Sequence, residues 1–394
     1  MFNRIAKPSL THSFFLIGPR GTGKSTLLHE RLRTENAHFI GLRAPDIEDL
    51  VHRDPKGLER QLTALHADVQ WIVIEEIHKV PELLDIVPRL LESTNRRFIM
   101  CGTKARKISR QSSGIAEGNP RVYKLHPLTF LELGDIFQLP DALQWGTLPQ
   151  VFHLGSREEK VAYLRAYVGA YFQEDIVAEK TLLRVDCFRN FLREAAKCNG
   201  EIVNCTAISR VIGVGIKSVQ AYYSFLEETL VGYSLPGYHF LRQQSQKRHP
   251  KFYLFDLGFK RALEGTLEQD LVPNTEAFEQ AFKHLVIVEL FRWASYFAAD
   301  WRFSYVHIGL GRDIELSVER PGRPLALVLI KSKDSIGPED LSIFRHLPTS
   351  LPASEYYCFS LDPQPKKIGN VICLPWREGI QRLAAADAQP GTGT

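Results

Sequence analysis

Cysteine is sparse, and none of it is paired. Six cysteines (Cys101, Cys187, Cys198, Cys205, Cys358, Cys373) are scattered over 394 residues with no C-x-x-C pair. That argues against a disulfide frame or a cysteine-rich zinc site, and for free thiols in a reducing compartment. No apolar run approaches the roughly 20 residues that a membrane span needs. The opening residues, MFNRIAKPSL, lack the apolar core of a signal peptide. A cytoplasmic protein, off the membrane, is therefore expected. A large excess of one charge is also missing: 49 Lys and Arg against 45 Asp and Glu leave a net +4. This balance permits nucleic-acid binding without arguing for it. At 44% hydrophobic and 24% charged, the chain has the composition of an ordinary soluble globular protein, long enough for about two or three domains. Residues 385–394, AADAQPGTGT, are expected to be a disordered tail.

What is present centres on residues 14–28, FFLIGPRGTGKSTLL. A short apolar run leads into a glycine-rich turn ending Gly-Lys-Ser, and a helical pattern follows. Gly18, Gly23, Lys24 and Ser25 fill every fixed place of the phosphate-binding pattern G-x-x-x-x-G-K-[ST]. Glycines at 18, 21 and 23 let the backbone curl and turn its N–H groups onto phosphate oxygens. Lys24 answers the β- and γ-phosphates, and the Ser25 hydroxyl is a small ligand for Mg²⁺. The helix beginning near Lys24 aims its positive end at the same place. The predicted nucleotide contacts run through Gly18, Pro19, Arg20, Gly21, Thr22, Gly23, Lys24, Ser25 and Thr26, with ATP and Mg²⁺ as the implied ligands.

Strand candidates at 13–17, 38–42, 71–74, 98–101 and 121–125 alternate with helical stretches at 25–32, 58–65 and 82–91. Such alternation predicts a parallel sheet covered by helices, with ligand at the carboxyl ends of the strands. The strand WIVI delivers Glu75 and Glu76 to that edge. In a phosphate-loop ATPase the first acid orders the metal shell and the second activates water. Here Glu75 is the candidate metal residue, standing where Asp is usual, and Glu76 is the candidate base. The strand ending Cys101-Gly102-Thr103 offers Thr103 to sense the γ-phosphate or position water. A guanidinium acting on a neighbouring copy's ATP would be Arg121, with Arg106 as the alternative.

Residues 71–91, WIVIEEIHKVPELLDIVPRLL, together with CGTKARK at 101–107 and HPLTF at 126–130, resemble a widespread prokaryotic family. Its members are AAA-type ATPases carrying a C-terminal restriction-endonuclease-like domain. The resemblance extends over nearly the whole chain. It implies an AAA+ core with strand order 5-1-4-3-2 over residues 1–135, and a departure at Glu75, where the family has Asp. Tyr171 and Asp175 fit the family's Tyr-x-x-x-Asp pattern in the helix after the core. Homo-oligomers are common among such motors.

Residues 136–235 read as a helical and winged-helix-like module. Helices at 205–211 and 216–229 flank a turn at Ile212-Gly213-Val214-Gly215, and 231–235 is a candidate wing strand. Lys217, Ser218, Gln220 and Tyr223 are the candidate DNA-facing residues, although Glu227 and Glu228 share the helix and arginine is missing from it. Residues 236–384 contain a basic loop, RQQSQKRHPK, and a long helix at 278–293 with Glu279 and Glu289. Asp313 or Glu315 on one strand and Lys331 on the next match part of a nuclease constellation. The place two before Lys331 is Leu329, which cannot ligate a hard cation. This predicts a nuclease-like fold that does not cut. Two functions remain open on sequence grounds: an ATPase coupled to branched or single-stranded DNA, or a nucleotide-gated switch for a protein partner.

Overall fold

The structure, a computed structural model, describes residues 2–80, 82–103, 121–176, 185–238, 249–297, 300–309, 312–348, 351–352 and 354–385. Arg106 and most of the basic loop at 242–251 lie outside the described residues, as does the side chain of Asp175 and nearly all of the 385–394 tail. No helix among the described residues is long and apolar enough to cross a membrane.

Phe14–Ile17 form β1, and all four side chains are buried. A strand buried on both faces sits inside a sheet, with a neighbour on either edge. For β1 these are β4 (Arg97–Gly102) and β5 (Arg121–Lys124), both parallel to it. β3 (Trp71–Glu75) pairs with β4, and β2 (Ala37–Gly41) pairs with β3. The order is 2-3-4-1-5, which read from the other edge is the predicted 5-1-4-3-2. Parallel neighbours require crossovers. These include α1 (Lys24–Arg31), α2 (Pro45–Arg53), α3 (Pro55–Thr63) and α4 (Leu83–Ser93). One core joins Phe15, Ile17, Ile72, Ile74, Phe98 and Met100 of the sheet to Leu83, Val87 and Leu90 of α4.

Where one helix was expected at 58–65, two occur. Pro45 and Pro55 each open a helix, a place where a missing N–H costs nothing. Asp54 caps the second by accepting from Gly57 N. α2 is hard to read from sequence because Ile47 and Leu50 are exposed and Val51 is buried.

The chain divides into two compact units, each assembled from separated stretches. The first comprises residues 1–136, 147–189 and 217–232, and the second 137–146, 190–216 and 233–394. The second unit holds a six-stranded mixed sheet. β8 (Arg302–Gly309), β9 (Arg312–Glu319) and β10 (Leu325–Lys331) run antiparallel in turn. β11 (Ser354–Ser360) and β13 (Val371–Pro375) continue parallel, and β12 (Lys366–Ile368) closes the edge antiparallel. The helix Glu276–Tyr296 belongs to this unit.

Helices Cys205–Ile212 and Ile216–Glu228 form as the sequence predicts, and Gly213 ends the first in the left-handed region at φ 69°. The boundary between the units falls at 216–217, inside this pair. Tyr223 is a correction. It is buried with Val219, Tyr222 and Leu226 on the apolar face of its helix, so it is not a DNA-facing residue. Lys217 and Gln220 are exposed. A strand forms at the place predicted for 231–235, as β6 (Gly232–Leu235), and pairs with β7 (Lys251–Leu254).

The core of the parallel sheet makes a direct prediction. Ile74→Ala removes a fully buried side chain and should cost about 2–5 kcal/mol of stability, read as a lower denaturant midpoint at unchanged slope.

Candidate functional site

Parallel register brings the ends of β1, β3 and β4 to one edge. Ile17 lies level with Gly102, and Glu75 with Cys101. The loop after β1 begins at Gly18, whose N–H donates to the Gly102 carbonyl at 3.2 Å. A Cβ on Gly18 would lie 2.1 Å from the Leu125 carbonyl oxygen, so only glycine lets the loop pass the chain leaving β5. Gly21 and Gly23 have φ of 71° and 91°, the left-handed region that turns the loop back into α1.

The loop's carbonyls are tied down. The Lys24 ammonium, 5% exposed, donates to Gly18 O at 2.8 Å and Pro19 O at 3.1 Å. Buried Thr22 donates through its hydroxyl to Pro19 O at 2.9 Å. Arg4, from the segment before β1, donates to Thr22 O at 2.7 Å and His126 O at 2.6 Å, and pairs with Glu132 at 2.9 Å. Glu132 also completes a capping box with Thr129 at the start of helix Phe130–Leu133. The Tyr167 hydroxyl, on helix Arg157–Ala170, donates to Arg20 O at 2.8 Å.

A cavity of about 850 Å³ opens on the loop, lined among others by Arg20, Gly21, Gly23, Lys24, Ser25 and Thr26. Phe2, Arg4, Arg43, His153, Tyr163 and Tyr167 line it as well. Of the predicted nucleotide contacts, Gly18, Pro19 and Thr22 are buried within the loop and shape it from inside.

Glu75 ends β3 half-buried, and its Oε1 is buried with no hydrogen-bond partner among the described residues. The Thr103 hydroxyl, directly after β4, is likewise buried and unpartnered among the described residues, at 5% exposure. An unsatisfied buried polar atom costs about 1–3 kcal/mol and calls for a ligand, water or ion. With the Ser25 hydroxyl, Glu75 supplies the hard oxygen donors that suit Mg²⁺, so the residues fit that ion.

Glu76 is 8% exposed and holds φ 59°, an uncommon conformation for a side-chain-bearing residue. Its Oε1 accepts from Arg43 Nε at 3.1 Å and Nη2 at 2.8 Å, and His78 Nδ1 lies 3.5 Å from Oε2. Burial pushes the Glu76 pKa up. The Lys24 charge, then His78 and the Arg43 guanidinium, more than offset this and hold it below the usual glutamate value. Glu76 is therefore ionised at neutral pH and chemically able to accept a proton. Beside it, burial pushes the Cys101 thiol up to about 12, keeping it protonated and inert.

Arg121 is exposed and level with Phe14, at the edge of the sheet opposite the phosphate loop. The structure brings together Lys24, Ser25, Glu75, Glu76 and Thr103 and leaves Arg121 apart. Sequence reasoning missed Arg43, Arg4 and Tyr167. Arg43 follows β2 at the same carboxyl edge, a position that could have flagged it. Nothing in spacing marks Arg4 or Tyr167, which reach the loop from 18 and 147 residues away.

In the second unit the acids singled out in the sequence, Glu279, Asp313 and Glu315, are engaged by the chain's own cations. Lys283 donates to Glu279 at 2.9 Å and Glu315 at 3.0 Å. Lys251 pairs with Asp313 at 2.7 Å, and His307 Nδ1 meets the same carboxylate at 2.7 Å. Burial would lower the Lys283 pKa, but Glu315 and Glu279 hold it above the ordinary lysine value. Leu329 is packed in the core, and Lys331 stands 3.9 Å from Glu279. Among the described residues no group of three or more His, Cys, Asp or Glu is placed to hold a metal.

The sheet order and the glycine loop give the first unit the fold of a phosphate-loop domain. Residues 11–134 match the family described as AAA domain, and residues 136–270 match a domain of unknown function, DUF8612. Uncharacterized proteins of Mycobacterium tuberculosis and Mycobacterium bovis are each 24% identical over 317 residues, covering 78% of this chain and 68% of theirs. Domain III of the Thermotoga maritima replication initiation protein DnaA aligns with a TM-score of 0.24 at 15% identity, over 56% of this chain and 87% of that one. A signal transduction ATPase with numerous domains from Pyrococcus horikoshii aligns with a TM-score of 0.25 at 12% identity, over 73% and 47%. Likenesses this distant fix neither an activity nor a partner.

The Glu76 environment predicts a pH dependence of stability. A carboxylate whose folded pKa is lowered contributes stability that is full above its ordinary value of 4.5 and is lost as pH falls through the lowered value. Wild type should exceed Glu76→Gln in stability at neutral pH, and the gap should close on acidification, measured by urea denaturation across pH. A gap independent of pH would contradict the ion-pair account.

Proposed function

We propose that the first unit binds MgATP on the phosphate loop and hydrolyses it to ADP and phosphate. The observation that carries this reading is the pair of buried, unpartnered oxygens, Glu75 Oε1 and Thr103 Oγ1, at the same sheet edge as the loop and Lys24. Apolar filling would have been the stable choice there if the site had no polar ligand. When bound, Mg²⁺ neutralises charge on the phosphate oxygens. Ser25 and Glu75 hold that ion, and Lys24 exchanges the carbonyls of Gly18 and Pro19 for the phosphates. Thr103 orients the attacking water. Glu76 takes its proton as the new O–P bond forms and the bond to the ADP oxygen breaks.

On this reading the cycle is coupled to binding or remodelling of branched or single-stranded DNA, and the nuclease-like second unit does not cut. The exposed Lys217 and Gln220 support the first part, and the net charge of +4 permits it. The Lys283 and Lys251 ion pairs on Glu279, Glu315 and Asp313 support the second. Assembly into a homo-oligomer, with Arg121 reaching a neighbour's ATP, belongs to the same proposal.

One observation favours a second reading. Arg43 holds Glu76 through two N–H groups, an arrangement that withholds the base. A nucleotide-gated switch for a protein partner, with slow turnover, would use that hold.

Steady-state ATP hydrolysis with and without forked and single-stranded DNA separates the two. The motor reading predicts turnover that DNA stimulates, with Glu76→Gln lowering kcat at least about 100-fold while ATP still binds. ATP binding without turnover or DNA response would favour the switch.

A further inference from the structure

A phosphate loop works by presenting N–H groups, and a planar trans peptide points its carbonyl and its N–H in opposite directions. Fixing a carbonyl on one side of the loop therefore fixes the next residue's N–H on the other. No cis peptide occurs among the described residues. Two of the loop's carbonyls are fixed by side chains from far away in sequence. Arg20 O accepts from the Tyr167 hydroxyl at 2.8 Å, which orients the N–H of Gly21. Thr22 O accepts from Arg4 at 2.7 Å, which orients the N–H of Gly23. Gly21 and Gly23 both line the cavity, and both carry the positive φ that leaves a backbone easily reoriented.

The two anchors are themselves braced. Arg4 is 9% exposed, and its other N–H groups are committed to Glu132 and His126 O. Tyr167 is buried, and its ring would lie 3.2 Å from a Cβ on Gly21. Both residues fall outside the segment, 11–134, that matches the AAA domain family. We propose that Arg4 and Tyr167 are positioning residues that pre-set the Gly21 and Gly23 amides for a triphosphate. This rests on the phosphate-binding reading of the loop and adds which parts of this chain make the loop competent before ligand arrives. Ordering cost is then met during folding, so it does not weaken binding.

The test is calorimetric binding of MgATP and of magnesium tripolyphosphate to wild type, Tyr167→Phe, Arg4→Lys and Lys24→Ala, with a melting temperature for each. Tyr167→Phe removes one hydroxyl and keeps the ring. Arg4→Lys keeps the charge facing Glu132 and loses the fork that reaches both carbonyls. Each should weaken both ligands by the same factor, about 3- to 10-fold, with the melting temperature of Tyr167→Phe within about 2 °C of wild type. A merely structural role would lower the melting temperature and leave affinity unchanged, and that result overturns the proposal. Weaker ATP with unchanged tripolyphosphate would also overturn it, because it would place Tyr167 against the base. If wild type binds neither ligand, the phosphate reading fails and the proposal with it. If wild type binds both and Lys24→Ala does not, that reading stands and the two anchors are judged by their own constants.

Discussion

A loop that turns its N–H groups outward to a ligand must turn carbonyls inward, and every inward carbonyl needs a donor. The rest of the first unit depends on meeting that demand. Lys24 and Thr22 answer from within the loop, on Gly18 and Pro19. Arg4 and Tyr167 answer from the chain before and after the sheet, on Thr22 and Arg20. Gly18 makes room by passing the Leu125 carbonyl where no side chain fits. Three stretches outside the loop, at Arg4, Leu125 and Tyr167, thus converge on it.

The same edge carries the opposite condition a few residues away. Among the described residues Glu75 and Thr103 each keep a buried oxygen without a partner, while Glu76 is held by Arg43 and surrounded by positive charge. Satisfied carbonyls in the loop thus stand beside oxygens that still call for a partner. Glu75 Oε2 lies beside Gly41 on β2, where a Cβ would meet it at an ordinary contact distance of 3.9 Å. Arg43 grips Glu76 through two direct hydrogen bonds, and in the proposed reaction that grip has to loosen before Glu76 can take a proton.

Much of this was legible in the sequence, for reasons of period and punctuation. FFLI, WIVIE and RFIMCG are short apolar runs bounded by turn residues, and they became β1, β3 and β4 with the predicted order. The glycine spacing located the loop because the geometry it serves is local. Contacts made across more than a hundred residues left no such mark: Arg4 to Glu132 and Tyr167 to Arg20 depend on tertiary placement alone. Tyr223 failed as a DNA-facing residue because helical period assigns it to the apolar stripe with Val219, Tyr222 and Leu226. Nothing in the spacing of Glu279, Glu315 and Leu329 announced that Lys283 would stand between the two acids.

If the phosphate loop is already shaped for its ligand, Lys24 is the part that moves. A crystal structure with Mg²⁺ and a non-hydrolysable ATP analogue tests it most directly. The account predicts the Lys24 ammonium on the β- and γ-phosphates and released from Gly18 O and Pro19 O. Arg4 should stay on Thr22 O and Tyr167 on Arg20 O. A loop that abandons those two anchors to bind nucleotide, or a nucleotide seated away from Lys24, would contradict it.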